Sequence, residues 1–371
     1  MRTPSILASA LAALILTGIG GTFPGGNGML AYFFAGEVWV MNADGTGTRS
    51  LGDGLSPAWS PNGRWIALDV SVDRNSDIWV VRPDGSGRRR VTTHAGTDYF
   101  VSWSPDARFL VFTSDRGAGD DIYVIGADSA RERQLTNDPG PDWAPAWSPD
   151  GTRIAFAGNA RGNLEVEIVS ADGTGRVALT DHPEPDYDPA WSPDGTRIAF
   201  TSERDGNANV YVMNADGSGV TQLTDDPSGD FRPAWSPDGT LIAFESTRDE
   251  RTSDRDVFVM NADGSDERRL RMGAENARDV DWQPTVDLSL QLRRSGRTVV
   301  ARVANVSPAP AQRVQVIFTA GKRRVVRTIG TIEPDSSRSV AFVERRRVRA
   351  VATGWHVDPN PADNRRSVGA R

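Results

Sequence analysis

The chain has 371 residues, of which 38% are hydrophobic and 11 are Trp, so it can build a substantial core and wholesale disorder is excluded. The absence of cysteine rules out disulfides, thiolate catalysis, cysteine-ligated zinc and iron–sulfur clusters. The net charge of −7 hides an asymmetry, because residues 286–371 carry a net +11 and the remainder a net −18, which indicates at least two domains.

The N-terminal segment is typical of an export signal. Arg2 precedes an apolar run from Ile6 to Ile19, which has the length of a secretory signal core and is shorter than the ~20 residues of a membrane span. A buried core helix is the alternative. We predict a signal peptide over residues 1–21 and an exported mature protein, periplasmic, cell-wall associated or extracellular, without a transmembrane segment.

The middle of the chain repeats a Trp-centred motif. Five copies read Ala-Trp-Ser-Pro or Ser-Trp-Ser-Pro, and a sixth, degenerate copy reads Asp-Trp-Gln-Pro; their tryptophans are Trp59, Trp103, Trp147, Trp191, Trp235 and Trp282. Successive tryptophans are 44 residues apart four times and 47 residues apart once. A fixed period of ~40–45 residues matches the blade of a β-propeller.

Each repeat predicts four short strands. In the fourth repeat the first strand ends at Trp191, a Ser-Pro-Asp-Gly turn follows, and the remaining strands fall at 198–201, 210–213 and 222–224. A four-stranded sheet of this size cannot bury both faces by itself, so the units are expected to close into a ring.

The ends of the array predict how the ring closes. The array begins with a second strand at Leu30 and ends with a Trp strand at Trp282. One blade must therefore combine three N-terminal strands with one C-terminal strand. The fold class predicted for residues 28–284 is an all-β, six-bladed propeller with four-stranded blades.

These residues also carry a family resemblance. The segment from Leu223 to Phe244, Leu-Thr-Asp-Asp-Pro-x-x-Asp-Phe-x-Pro-Ala-Trp-Ser-Pro-Asp-Gly-x-x-Ile-Ala-Phe, strongly resembles the TolB-type propeller repeat. The resemblance extends over about residues 28–284. It implies an exported platform that binds a protein or peptide partner in the cell envelope.

The last part of the chain has strands of another kind. Alternating segments at 288–292, 299–303 and 314–318 are followed by further candidate strands at 324–329, 339–343 and 348–352. This density of strands without a helical period predicts an immunoglobulin-like sandwich over residues 286–371. Val-Ala-Asn-Val-Ser-Pro-Ala-Pro-Ala and Asp-Pro-Asn-Pro-Ala-Asp-Asn in this region resemble adhesion-related Ig-like domains of bacterial surface proteins, which implies a spacer or adhesion module.

This C-terminal region also has a basic face. Its arginines include Arg345, Arg346, Arg347 and Arg349. We expect this face to bind either an anionic cell-wall polymer or the acidic propeller, and a merely solvated strand face is the alternative. Nucleic acid is not an expected partner, because no nucleic-acid-binding fold is recognisable.

Catalytic and cofactor motifs are missing from the sequence. There is no Gly-x-Ser-x-Gly elbow and no phosphate-binding loop, and the three histidines are scattered along the chain. We therefore predict a non-catalytic protein without a cofactor or metal. The Asp-Gly-Ser-Gly segments at Asp84 and Asp216 lack EF-hand spacing and are better explained as hairpin turns, so calcium in the channel is a minor alternative.

One constellation is a candidate site. Five residues before four of the tryptophans an Asp is followed by an aromatic residue, at Asp98-Tyr99, Asp142-Trp143, Asp186-Tyr187 and Asp230-Phe231. On the same face, the loops after the second strands carry Arg74, Arg116, Arg161, Arg204 and Arg248. Each Asp is expected to brace its blade junction through a neighbouring Arg. The alternative is a ring of carboxylates and aromatics that receives a peptide or a cation.

Departures from the repeat point to the ligand surface more specifically. Asp188, Arg232 and Asp279 all fall three residues before a Trp and differ in charge, so we predict that they form the binding surface at the channel mouth. The predicted function is an exported, non-catalytic binding or scaffold protein that presents this mouth to a partner. The alternative is a propeller lyase or hydrolase that acts on envelope polysaccharide or peptides through channel carboxylates.

Overall fold

The computed structural model describes residues 29–42, 47–117, 119–159, 162–248, 255–270, 277–283, 288–295, 298–305, 311–320, 323–332, 337–343, 348–353 and 365–368. The predicted signal peptide, Arg161 and the basic residues Arg345 to Arg347 lie outside them. All regular secondary structure in these ranges is β-strand, and none of it is a helix that could cross a membrane.

Six four-stranded antiparallel sheets form the blades of a propeller. Blade 1 contains β1 to β3, at Leu30–Phe34, Glu37–Met41 and Arg49–Asp53. Blade 2 contains β4 to β7, at Leu55–Trp59, Ile66–Val72, Asn75–Val81 and Arg89–Arg90. Blade 3 contains β8 to β11, at Asp98–Trp103, Phe109–Ser114, Asp121–Gly126 and Ser129–Gln134.

The next three blades follow the same order from inner to outer strand. Blade 4 contains β12 to β15, at Asp142–Trp147, Arg153–Gly158, Glu165–Ser170 and Val177–Ala178. Blade 5 contains β16 to β19, at Asp186–Trp191, Arg197–Ser202, Asn209–Asn214 and Thr221–Gln222. Blade 6 contains β20 to β23, at Asp230–Trp235, Leu241–Ser246, Asp256–Asn261 and Arg268–Arg269.

The two ends of the array meet in blade 1. Strand β24, at Arg278–Trp282, supplies the inner strand of that blade and pairs with β1, so that Leu30 lies opposite Trp282. Beyond the strands, Met29 N donates to Gln283 Oε1 at 3.0 Å, and Gln283 N donates to the Met29 carbonyl at 2.7 Å. The predicted six blades and their closure by three N-terminal strands and one C-terminal strand are confirmed.

The core lies between adjacent blades because successive strand residues point to opposite faces of a sheet. In β17, Phe200 packs with Ala155 and Val166 of blade 4, whereas its neighbour Ala199 packs with Trp235 of blade 6. Each second strand therefore contributes to two interfaces. The Ile-Ala-Phe pattern in the sequence has this physical origin.

The Ser-Pro-Asp-Gly turns are held by their own aspartates. Asp194 Oδ1 accepts hydrogen bonds from Ser192 Oγ at 2.6 Å and Thr196 N at 3.0 Å, and Gly195 takes φ +70°. In the hairpin turn between β18 and β19, Asp216 Oδ1 accepts hydrogen bonds from the amide and hydroxyl of Ser218. These carboxylates serve their local turns.

The C-terminal region contains two further antiparallel sheets. The first has β25, β26 and β29, at Leu288–Ser295, Thr298–Asn305 and Ser337–Val343. The second has β27, β28, β30 and β31, at Ala311–Ala320, Arg323–Ile332, Val348–Thr353 and Arg365–Val368. The predicted strands of this region fall within β25 to β30, whereas their assignment to an immunoglobulin-like sandwich stays a prediction. Arg349 belongs to β30.

Candidate binding site

Every inner strand of the propeller carries a β-bulge. At the residue three positions before the Trp the backbone enters the left-handed region, with φ between 46° and 53° at Ser56, Phe100, Ala144, Asp188, Arg232 and Asp279. In four of the six strands the next residue is proline, at Pro57, Pro145, Pro189 and Pro233. A proline cannot donate to the strand ladder, which favours an interruption at this point.

The six bulge residues line a cavity of about 170 Å³ in the central channel. Each blade contributes one of them, because the bulge recurs at the same place in every repeat. The structure thus brings together Asp188, Arg232 and Asp279, the three residues predicted for the channel mouth. Their backbone φ values lie where non-glycine residues are uncommon, and such strain often accompanies functional sites.

Arg232 is the centre of this cavity. Its guanidinium pairs with Asp279 of blade 1 and lies 3.9 Å from the Asp188 carboxylate of blade 5. It also reaches across the channel, where its Cζ lies 5.4 Å from the ring centroid of Phe100 on the opposite blade 3. One side chain therefore links four blades at the mouth.

Glu245 belongs to the same charged cluster as Asp188, Arg232 and Asp279. It is completely buried, lies 3.5 Å from Arg232, and accepts hydrogen bonds from Arg255 Nη1 and from the Asp279 amide, both at 2.8 Å. The Arg255 guanidinium in turn stacks on Phe231, 4.0 Å from the ring centroid. Arg232 and Arg255 thus connect the Asp279 carboxylate, the Glu245 carboxylate and the Phe231 ring.

Burial alters the acidity of two aspartates at the mouth. Burial raises the pKa of Asp188 to about 6; Arg232 opposes this shift and Glu245 adds to it. Burial also raises the pKa of Asp69, in β5 behind Ser56, to about 7, with the hydrogen bond from Ser56 as one opposing effect. Carboxyl groups that titrate near neutral pH make the charge of the mouth sensitive to pH.

The four Asp-aromatic positions lie at the start of the inner strands, and their aspartates are fully buried. Arg116 binds both oxygens of Asp98 at 2.7 and 2.8 Å, and Arg204 binds those of Asp186 at 3.1 and 2.8 Å. Arg248 donates to Asp230 at 2.6 Å. Each of these arginines follows the second strand of the same blade.

Asp142 departs from this scheme. Its partner is Arg176, which precedes the outer strand β15 and donates to the two Asp142 oxygens at 3.0 and 2.9 Å. The same arginine also pairs with Asp138 and Glu167. In all four blades the ion pair stays within one blade, so the expected link between two blades is wrong. The arginines lie on aromatic rings of their own blade instead, such as Tyr211, 4.8 Å from Arg204.

The aromatic members of the four pairs lie next to these ion pairs and are half-buried. Tyr187 donates its hydroxyl to Glu203 at 2.9 Å, and Trp143 donates its indole N–H to Asp120 at 2.8 Å. Phe231 carries the Arg255 guanidinium described above, and Tyr99 packs edge-on against Phe100 at 5.0 Å. Tyr99 and Phe231 therefore connect the ion pairs at the starts of the inner strands to the charged cluster around Arg232.

Sequence reasoning missed Asp69, Glu245 and Arg255. Asp69 and Glu245 occupy the same position of the second strand, directly after its large buried residue, where the other blades carry Phe33, Thr113, Ala157 and Thr201. Departure from the repeat at this position is the signal that would have found them. Within the described residues, no group of three His, Asp or Glu side chains is placed to hold a metal ion, and calcium in the channel stays a prediction.

The comparisons with known proteins agree with this architecture. The family description "TolB beta propeller domain" (PD40) matches residues 46–139, 128–221 and 189–313. The Tol-Pal system protein TolB of Thioalkalivibrio sulfidiphilus is 33% identical over 108 residues, which cover 26% of this chain and 24% of that protein. The chain spans about a quarter or less of the length of the curated relatives it matches.

Two solved structures share the fold. TolB from Acinetobacter baumannii superimposes with a TM-score of 0.63 at 22% identity, covering 69% of this chain and 66% of that one. A putative TolB from Agrobacterium tumefaciens gives a TM-score of 0.54 at 24% identity, covering 70% of this chain and 99% of that one. At such identities the likeness concerns the fold alone.

Fold and site together define a closed six-bladed β-propeller whose central channel carries a charged cluster. Because the family match extends over more than half of its length, the chain belongs to the TolB β-propeller family.

Proposed function

We propose that this protein is an exported, non-catalytic binding protein that presents its channel mouth to a protein or peptide partner in the cell envelope. The observation that carries the proposal is the cluster around Arg232, which departs from the repeat in several blades at once. A purely structural role would be the same in every blade, whereas the bulge position differs in charge between Arg232 and the aspartates Asp188 and Asp279.

The chemistry of the mouth favours a basic partner segment. Four carboxyl groups, those of Asp69, Asp188, Glu245 and Asp279, surround the cavity or support it, against the two arginines Arg232 and Arg255. Arg232 lies 31% exposed at the centre of the cavity and can be displaced by a competing cation. A Lys or Arg side chain of a partner would then pair with Asp188 and Asp279.

The other parts of the chain complete this proposal. Residues 1–21 would direct export, and residues 286–371 would form an Ig-like spacer or adhesion module. Its basic arginines, of which Arg349 lies in β30, would contact an anionic wall polymer. The Tol-Pal names of the relatives support a place in the envelope.

A peptide-display selection tests the channel proposal. Random peptides are selected on the immobilised full-length protein, and the enriched peptides are measured against Arg232→Ala and Asp188→Asn. Asp128→Asn, which neutralises a side chain that is 96% exposed and outside the channel, serves as the matched control. We expect basic peptides whose affinity changes at least fivefold in the channel variants and not in the control. Enriched peptides that bind all variants equally would contradict a channel site.

The alternative function, a lyase or hydrolase, requires a catalytic carboxyl group. A carboxylate mechanism requires that one of the buried acids, such as Asp188, act on a bound polysaccharide or peptide. Incubation with envelope polysaccharide and peptide substrates should then release products that Asp188→Asn no longer forms. We expect no turnover, and product formation lost in that variant would replace the binding proposal.

A further inference from the structure

A second cavity lies between blades 3 and 4. It has a volume of about 390 Å³ and shares no lining residue with the channel mouth. Two aromatic side chains line it, Phe109 from β9 and Trp147 from β12, together with the aspartates Asp106 and Asp150 of the two adjacent Ser-Pro-Asp turns. The cavity is at the opposite end of the inner strands from the bulges, because these turns follow the Trp residues.

The cavity lies at a register position that varies among the blades. The residue six positions after the inner Trp covers the inner Trp of the following blade. In blades 4 and 5 this residue is an arginine: Arg153 lies 4.7 Å from the ring centroid of Trp191, and Arg197 lies 4.6 Å from that of Trp235. In blade 3 the position holds Phe109, which is 38% exposed.

The other junctions are closed by apolar residues. Leu241 packs in one cluster with Trp282, Trp65 packs against the cluster of Trp103, and Met29 packs against that of Trp59. Five of the six inner tryptophans are accordingly buried, with at most 8% exposure. Trp147 is the remaining one, and it is only partly buried.

We propose that the cavity between blades 3 and 4 binds the guanidinium group of an arginine side chain from a partner protein, in the place that Arg153 and Arg197 occupy at the next two junctions. Trp147 offers the aromatic face on which guanidinium groups lie at those junctions, and Phe109 supplies a second ring. The occupant enters from outside because blade 3 lacks the arginine that would fill the space.

The charges of the lining suit a cation. Asp150 accepts hydrogen bonds from Ser148 Oγ, Thr152 N and Thr152 Oγ1, and within the described residues all three use Oδ1, which leaves Oδ2 able to accept from a ligand. Among the described residues that line the cavity, Arg133 is the one cation, and its guanidinium donates to the carbonyls of Ala171 and Asp172. Arg108 lies 3.9 Å from Asp106 and 5.7 Å from the ring centroid of Phe109, so the ligand guanidinium is placed against Trp147 and Asp150.

Binding of small arginine analogues tests this site. The probe is N-acetyl-argininamide, observed by saturation-transfer NMR with the full-length protein, and N-acetyl-citrullinamide is its uncharged isostere. We expect the arginine probe to bind roughly tenfold more tightly than the citrulline probe, since cation–π attraction and a charged hydrogen bond are both lost in the latter. Equal binding of the two probes, or no binding of the arginine probe, would overturn the proposal.

Two variants assign the binding to this cavity. Phe109→Arg introduces the arginine that blades 4 and 5 carry at this position, so it should fill the cavity, keep or raise the melting temperature and abolish probe binding. Asp150→Asn keeps the oxygen that accepts the turn hydrogen bonds and should weaken probe binding severalfold. Its matched control is Asp194→Asn, because Asp194 makes the same turn bonds beside a junction that Arg153 already fills.

Each result bears on the proposal separately. Probe binding that survives Phe109→Arg at wild-type affinity would place the site elsewhere and overturn the assignment. Should Phe109→Arg fail to fold, the pair Asp150→Asn and Asp194→Asn still decides the assignment, because equal binding by those two variants contradicts it. Peptides whose binding depends on Arg232 and Asp188 should bind Phe109→Arg with unchanged affinity, because Phe109 does not line the channel cavity, and this separates the site from the proposed function.

Discussion

At the scale of single residues, buried charge is the unusual property of this propeller. Four aspartates at the start of inner strands are fully buried and paired with arginines of their own blade. An unpaired charge in such a place is costly, so the partners are expected to contribute to stability. Burial raises the pKa of Asp69 and Asp188 in the channel and also that of the paired Asp142 and Asp230.

The Asp186–Arg204 pair provides the first prediction. Asp186→Asn removes the charge of a fully buried carboxylate that binds Arg204 through both oxygens, and should lower the free energy of unfolding by about 1–3 kcal/mol. Urea denaturation measures the loss. Asp128→Asn is the control, because the Asp128 side chain is 96% exposed and should cost well under about 1 kcal/mol. An Asp186→Asn variant as stable as the wild type, with weakened peptide binding, would favour a ligand-receiving ring over a brace.

Asp69 provides a pH-dependent prediction. Its pKa rises from 3.8 to about 7 on folding, so between these values the folded protein holds a proton that the unfolded chain has released. The stability contributed by this group is present at low pH and is lost as the pH rises from about 4 to about 7. Asp69→Asn should therefore flatten the decline of unfolding free energy across this interval and should stabilise the protein most above pH 7.

Denaturation at a series of pH values measures this effect. The comparison is the difference in unfolding free energy between variant and wild type, since other carboxyl groups titrate in both. A difference that stays constant from pH 4 to pH 8 would show that Asp69 keeps its charge in the folded protein.

At the scale of elements, each inner strand both packs against the preceding blade and lines the channel. The Trp end of each strand closes the interface to the preceding blade, and the bulge at its other part turns a side chain into the channel. Because every strand repeats this geometry, a single replacement changes one interface or one sector of the channel without altering the rest. Arg232 is a replacement in an inner strand that changes the channel, whereas the exposed Phe109 lies in the second strand β9 and changes the interface at the Trp end.

The inner tryptophans should differ in their contribution to stability. Trp191 is buried beneath Arg153, so Trp191→Ala should cost about 3–5 kcal/mol through lost burial and a cavity. Trp147→Ala should cost clearly less, because one side of this ring already faces a cavity of about 390 Å³. Calorimetric melting of both variants measures the difference. Equal losses would mean that Trp147 is packed as tightly as the other tryptophans.

At the scale of the whole molecule, closure of the ring removes the strand edges that six separate sheets would expose. Blade 1 alone depends on both ends of the propeller sequence, through the pairing of β1 with β24 and the reciprocal bonds of Met29 and Gln283. The stability of the ring therefore depends on strands that are about 250 residues apart in sequence. The faces of the other blades stay buried only while β1 and β24 are paired.

Deletion of residues 28–51 tests this dependence. The deletion removes β1, β2 and most of β3, leaves β24 without a partner and exposes the edges of blades 2 and 6, so the cooperative melt of the propeller should be lost. Circular dichroism during heating follows it. Truncation after Pro284 is the control, since it removes none of the propeller strands and should leave a cooperative transition. A deletion variant that melts at the wild-type temperature would contradict closure through blade 1.

Much of the fold is determined by the sequence alone, because short sequence motifs define the strands and turns of each repeat. The spacing from Trp59 to Trp282, the Pro-Asp-Gly turns and the alternation of each second strand define how many blades form and where they begin. A first strand at Leu30 and a last one at Trp282 leave three strands and one strand to be joined. The blade number and the closure therefore follow from chain order and hydrogen-bonding needs.

The candidate sites were decided only by the tertiary structure. Register pointed to Asp188, Arg232 and Asp279, but not to the contact of Arg232 with Phe100, because these residues lie on opposite blades and meet only when the ring is closed. The partner of Asp142 was likewise unpredictable, since Arg176 reaches it from another part of the blade. Strand order follows from short-range preferences, whereas the charges in the channel and the cavity beside Trp147 depend on which blades face each other across space.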